Sequence, residues 1–152
     1  MYKQIAHLDF ETYYARDFSL TKMSTIEYVR DERFKVFGCA VAMNEDPSVY
    51  LTHEEFVTWA EDIDWSITAI SAFNTSFDGC VLTQHYNIFP AYYIDPQSAA
   101  RAMLTIDSVA LKRVAPLLLG EEKGQALVEG ATVASDGMAD YANLDNELAR
   151  KI

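Results

Sequence analysis

The sequence predicts an α/β domain: a mixed five-stranded sheet with helices on both faces. Three observations carry that expectation. Five apolar runs have strand length, at 4–10, 36–43, 48–51, 68–73 and 92–94. From Thr52 onward, stretches with helix-start signals and helical spacing alternate with such runs. Strands come first, and strands alternating with helices follow, which is the order of a mixed sheet covered by helices.

Each element has its own signal. Gln4–Phe10 reads as the first strand, with Asp9 and Glu11 at its end. Residues 12–35 are polar and irregular, with a short helix near Ser24–Arg30. Val36–Met43 is a strand apolar on both faces, and Asn44-Glu45-Asp46-Pro47 is a turn. Ser48–Leu51 is its hairpin partner. Thr52 and Glu55 form a capping box for a helix through Asp62, with Phe56, Trp59 and Ala60 on one face. Thr68–Phe73 is a strand, and Asn74 or Thr75 caps a helix to about Tyr86. Tyr92–Ile94 is a short strand. Pro96 suits the first turn of a helix to about Leu104. A helix follows at Ser108–Leu119, with Pro116 weakening its end. Residues 120–137 read as a Gly- and Glu-rich loop, and a last helix starts near Met138.

The 152 residues suffice for one domain, spanning 1–152, and the 50% apolar content excludes a disordered chain. No apolar run approaches the ~20 residues that span a bilayer. Asp9 and Glu11 interrupt the N-terminal apolar run, so no signal peptide is expected. A cytoplasmic location follows, the host's cytoplasm if the source is viral, with no membrane partner. Cys39 and Cys80 lack C-x-x-C spacing and read as reduced core thiols. The net charge of −11 argues against a broad basic surface for nucleic acid. It does not exclude an enzyme whose carboxylates are locally neutralised by bound cations.

Three acidic patterns concentrate the chemistry: Asp9-Phe10-Glu11-Thr12, Asn74-Thr75-Ser76-Phe77-Asp78, and Tyr141 with Asp145. Asp9 and Glu11 stand at i and i+2 on a strand and project from one face. Asp78 lies in the first turn of a helix. Tyr141 and Asp145 are i and i+4 on one helix face. A fold that brings this helix to the strand end gathers four carboxylates and a phenol. Oxygen ligands of this kind suit hard divalent cations, and four carboxylates repel one another strongly unless cations neutralise them. Two such ions can clamp the attacking and leaving oxygens of a phosphodiester. The residues therefore point to a metal-dependent nuclease.

Together the patterns resemble the three exonuclease motifs of DnaQ-like 3′–5′ exonucleases. Asp9-Phe10-Glu11-Thr12 resembles motif I and Asn74–Asp78 resembles motif II. Tyr141-Ala142-Asn143-Leu144-Asp145 resembles motif III in its tyrosine form; the histidine form would need a histidine where Asp140 stands. The resemblance runs from about Ile5 to Leu148 and is nearest to the proofreading domains of phage and bacterial family A DNA polymerases. It implies a ribonuclease H-like fold, two Mg²⁺ or Mn²⁺ ions, and release of nucleoside monophosphates from single-stranded DNA 3′ ends. Asp9, Glu11, Asp78 and Asp145 would hold metal, and Tyr141 would orient the attacking water with Glu11. Implied partners are a DNA polymerase or another replication protein. No polymerase domain follows Asp145 in this sequence, which implies either a free-standing exonuclease or a fragment.

Other residues admit two roles each. Asn74 is a helix cap or holds substrate or water. Thr12 is a loop hydroxyl or presents its backbone N–H to the 3′ nucleotide. Phe77 is a core residue or stacks on a base. Asp95 caps the next helix or stands behind the site. Lys112, Arg113 and Lys123 contact phosphate or solubilise the surface. His7 reads as a strand residue, His53 and His85 as surface, and Trp59 and Trp65 as core anchors. Two further functional readings stay open: a non-catalytic scaffold that binds a replication partner, and an RNA-directed exonuclease on the same fold.

Overall fold

A computed structural model of the chain describes residues 1–120 and 137–152. Residues 121–136 of the loop expected at 120–137, with Lys123, lie outside the described residues. Strands are β1 (Gln4–Thr12), β2 (Val36–Met43), β3 (Val49–Thr52), β4 (Thr68–Ser71) and β5 (Tyr92–Ile94). Helices are α1 (Thr25–Arg30), α2 (His53–Glu61), α3 (Thr75–Gln84), α4 (Pro96–Met103), α5 (Leu111–Leu119) and α6 (Met138–Lys151). The sheet order is β3-β2-β1-β4-β5. β1 is antiparallel to β2 and parallel to β4; β2–β3 is a hairpin, and β4–β5 is parallel. This is the mixed five-stranded α/β sheet that the pattern predicts.

Period-two alternation divides β1 between two layers. Ala6, Leu8 and Phe10 join one core cluster with Tyr28 and Val29 of α1, Phe56 and Ala60 of α2, and Val81 and Leu82 of α3. The opposite face is covered by α6, which packs on β1, β2 and β3 and is itself backed by α5. Capping boxes start α1 at Ser24–Glu27 and α2 at Thr52–Glu55. Trp59 and Trp65 are half-buried against the first core, and both cysteines are free thiols, as expected.

α6 is clamped by polar contacts to the β2–β3 turn. Ser48 N–H donates to Glu147 Oε1 at 2.7 Å, and Asn146 Nδ2 donates to Ser48 Oγ at 3.0 Å. Arg150 donates to the carbonyls of Asp46 and Glu45. Among the described residues no helix is long and apolar enough to cross a membrane.

Several boundaries shift by one to three residues from the sequence reading, and three have a visible local cause or context. β1 continues past Phe10 to Thr12, because antiparallel pairing with β2 persists through a register shift at Glu11/Thr12. β4 stops at Ser71 instead of reaching Phe73, because the Thr75 hydroxyl, whose one proton lies between the Ala72 and Ile94 carbonyls, turns the chain into α3. α5 starts at Leu111, not Ser108, with no side-chain cap. His53 is half-buried rather than surface, with Nδ1 2.9 Å from the Tyr86 hydroxyl.

Gly38 faces Glu11 across one pair and Thr52 across the other. A Cβ there would run into the Leu51 carbonyl and the Tyr50 ring, whose hydroxyl donates to Met138 Sδ at 3.2 Å in the first turn of α6. Gly38→Ala is therefore expected to cost ~1–3 kcal/mol by overpacking. It should read as a lower urea midpoint with unchanged far-UV circular dichroism; an unchanged midpoint would contradict this packing.

Candidate active site

The site begins where β1 outruns β4. The two strands pair only over Gln4–His7 and Thr68–Ser71. Beyond His7, among the described residues, that edge of β1 has no strand beside it. There the N–H of Phe10 donates to Asp78 Oδ1 at 3.0 Å. Asp78 lies in the first turn of α3 and is 3% exposed. Burial pushes its carboxyl up to about 7, only partly opposed by hydrogen bonds from the Phe10 and Asp78 backbones, with the charge of Asp95 adding to the rise.

Asp9 and Glu11 alternate with Phe10 and so lie on the face that α6 covers. Asp9 is half-buried and Glu11 is 7% exposed. Asp145 on α6 is 3% exposed, and Tyr141 sits one turn before it. Cys39, opposite Phe10 in the register, senses this setting: burial raises its thiol most, and the charges of Asp78, Asp9 and Glu11 raise it further. Tyr50 is likewise raised by burial and then by Glu11. Among the described residues, no three His, Cys, Asp or Glu side chains form a metal-holding group. Asp78 reaches the backbone of β1 from α3, and Asp145 lies on α6, which packs on the same strand.

A cavity of about 420 Å³ opens beside them, and its wall includes Glu11, Thr12, Phe77 and Tyr141. These come from all three patterns singled out in the sequence. Tyr14, Leu20 and Tyr28 complete the wall from the stretch between β1 and α1 and the first core helix. The sequence reading missed this contribution because the stretch looked merely irregular; its density of aromatics (Tyr13, Tyr14, Phe18, Tyr28) was the available signal.

Phe77 is half-buried, packs against the core as one reading expected, and also lines the cavity. Asn74 is not in the cavity wall. It stands before α3 with φ 72° and makes no side-chain cap; its Oδ1 accepts from Ser76 Oγ at 2.6 Å. Asn tolerates this left-handed conformation better than most residues. Asp95 does cap α4, accepting from Gln97 N–H at 3.1 Å and Ser98 Oγ at 2.6 Å. It also accepts from Asn74 N–H at 3.2 Å, which ties the start of α4 to the start of α3. Lys112 and Arg113 are exposed on α5.

No protein-family model and no characterised protein matches the chain by sequence. Solved structures do match by fold. Brucella melitensis NrnC is similar with a TM-score of 0.66 and 16% identity, covering 97% of this chain and 69% of that one. NrnC with bound Mg²⁺ gives 0.66 at 15% identity, covering 97% and 68%. NrnC bound to pGG gives 0.66 at 17% identity, covering 96% and 68%. At such identities the likeness shows the fold: the chain has the ribonuclease H-like α/β architecture seen in these neighbours.

The raised carboxyl of Asp78 has a consequence for stability. Its ordinary value is 3.8 and its folded value about 7, so across that window the native state holds a proton that the unfolded chain has lost. Stability from this group is full below the lower value and disappears as pH rises through the upper one. In metal-free buffer, Asp78→Asn is expected to be more stable than wild type at pH 8, with the gap shrinking at pH 5.5. Urea midpoints in EDTA measure it, and an equal gap at both pH values would contradict it.

Proposed function

We propose that the protein is a metal-dependent 3′–5′ exonuclease that removes nucleoside monophosphates from single-stranded nucleic-acid ends. The observation that carries this reading is the cavity whose wall joins Glu11, Thr12, Phe77 and Tyr141, residues from all three acidic patterns. The Mg²⁺-bound and pGG-bound NrnC structures support metal and oligonucleotide as ligands of this fold.

The donor set fits divalent cations. It is all oxygen, the ligand type that hard divalent cations prefer. Asp9, Glu11 and Asp145 would hold the ions, with Asp78 reached through water. Two Mg²⁺ or Mn²⁺ ions would supply charge neutralisation at the phosphodiester and a lowered pKa for water.

The chain's own groups do the rest. Phe77 and Leu20 offer an apolar wall to the terminal base, which excludes water from one side of the sugar. The Tyr141 hydroxyl orients the attacking water, and Glu11 accepts its proton. The water oxygen bonds to phosphorus in line with the departing 3′ oxygen of the penultimate nucleotide. That oxygen takes a proton from solvent, so each turnover adds one water and releases one nucleoside 5′-monophosphate.

The substrate is read as single-stranded DNA, with a replication protein as partner. The pGG-bound neighbour favours a second reading, in which short RNA takes the same site. The test is digestion of 5′-labelled DNA and RNA oligonucleotides with Mg²⁺, Mn²⁺ or EDTA. A metal-dependent ladder shortening from the 3′ end is expected. Asp9→Ala and Asp145→Ala should each lower the rate by about 10²-fold or more, as loss of a charge-stabilising group does. Full activity of either variant would contradict the site, and no cleavage of any oligonucleotide would favour a non-catalytic scaffold.

Metal should also stabilise the fold by mass action, by ~2.7 kcal/mol at a hundredfold excess over Kd. Thermal melts should rise with Mg²⁺ in wild type and rise less in Asp9→Ala; equal rises would place the metal elsewhere.

A further inference from the structure

Tyr28 is a buried polar group in the cavity wall that the chemistry above does not use. It is 2% exposed. Its ring stacks on Phe18 at 4.5 Å, meets Phe34 edge-on at 5.4 Å and lies against Phe77 at 6.2 Å. Its hydroxyl makes two bonds to the segment that follows Glu11. It donates to the Tyr13 carbonyl, and it lies 3.0 Å from Thr12 Oγ1.

Donor accounting gives these bonds one polarity. A carbonyl oxygen only accepts, so the single proton of Tyr28 goes to Tyr13. The contact with Thr12 then requires the Thr12 hydroxyl to donate to the Tyr28 oxygen. Burial raises the Tyr28 phenol and keeps its proton in place. The Thr12 proton is thereby committed, and Thr12 can meet a ligand in the cavity only as an acceptor.

We propose that Tyr28 is a positioning residue that fixes the Thr12 hydroxyl as an acceptor for a sugar hydroxyl of the terminal nucleotide. The polarity follows from the hydrogen bonds alone; the ligand class rests on the exonuclease reading of the same site. A sugar hydroxyl is a donor that DNA offers at the 3′ position and RNA at both 2′ and 3′. An end that lacks the contacted hydroxyl leaves a buried acceptor unpaired, which sites of this kind reject strongly.

The test is calorimetric binding of 5′-phosphorylated dinucleotides ending in ribose, 2′-deoxyribose or 3′-deoxyribose, with Ca²⁺ in place of Mg²⁺. Wild type should favour ends carrying the contacted hydroxyl by about tenfold or more. The end that loses affinity tells whether the 2′ or the 3′ group is read. Tyr28→Phe keeps the aromatic packing and should bring all ends to within about twofold of one another, because the Thr12 rotor is released. Thr12→Val should do the same with Tyr28 in place, which covers any folding defect of Tyr28→Phe. Thr12→Ser should retain the preference, which a merely structural role for Tyr28 does not require. Discrimination that persists unchanged in Tyr28→Phe and Thr12→Val overturns this proposal alone, as does a wild type that binds every end equally. A wild type that binds no dinucleotide overturns it together with the exonuclease reading.

Discussion

The bond from Phe10 N–H to Asp78 Oδ1 organises the site. A strand that extends beyond its neighbour leaves backbone donors at a buried edge, and an unmet donor there costs about 1–3 kcal/mol. Asp78 meets that donor from the first turn of α3. The bond fixes where α3 begins relative to the end of β1. Phe77, one residue earlier, is thereby set against both core and cavity. The Thr75 hydroxyl and Asp95 secure the same junction from the other side, through Ala72, Ile94 and Asn74. A carboxylate is an awkward group to bury, and its upward shift to about 7 is the energetic trace of that placement.

On the other face, α6 combines buried apolar residues, Met138, Ala142 and Leu148, with polar anchors. Asn146 is 1% exposed and bonds both the His7 carbonyl and Ser48. Glu147 and Arg150 complete the clamp on the β2–β3 turn. This brings Tyr141 to the cavity and buries Asp145 against the sheet. Gly38 contributes by absence of a side chain, letting Tyr50 cross the sheet to Met138. Elements distant in sequence thus bring Glu11, Phe77 and Tyr141 to one cavity at the end of β1.

Most of this architecture was legible in the sequence because its signals are local. Capping boxes, Pro96 at a helix start and period-two alternation mark β1, α2 and α4 without reference to the rest of the chain. What was not legible depends on contacts distant in sequence. The early end of β4 comes from Thr75 reaching the Ile94 carbonyl. The second role of Asp95 needs Asn74 beside it. The expected cap by Asn74 fails because that residue enters the left-handed region and bonds Ser76 instead. The candidate site was legible as spacing, in D-x-E, N-x-x-F-D and Y-x-x-x-D, but not as a cavity. Its far wall comes from the stretch after Thr12, where aromatic residues carry no periodic signal.

The proposed site joins three separated segments around divalent cations at the end of β1. Titrating isotope-labelled protein with substoichiometric Mn²⁺ and following paramagnetic broadening of backbone amides tests it directly. The account predicts that Asp9–Thr12, Phe77–Gly79 and Tyr141–Asn146 broaden first and together. Broadening confined to exposed acidic pairs such as Glu45-Asp46 or Glu54-Glu55, with those three segments unaffected, would contradict it.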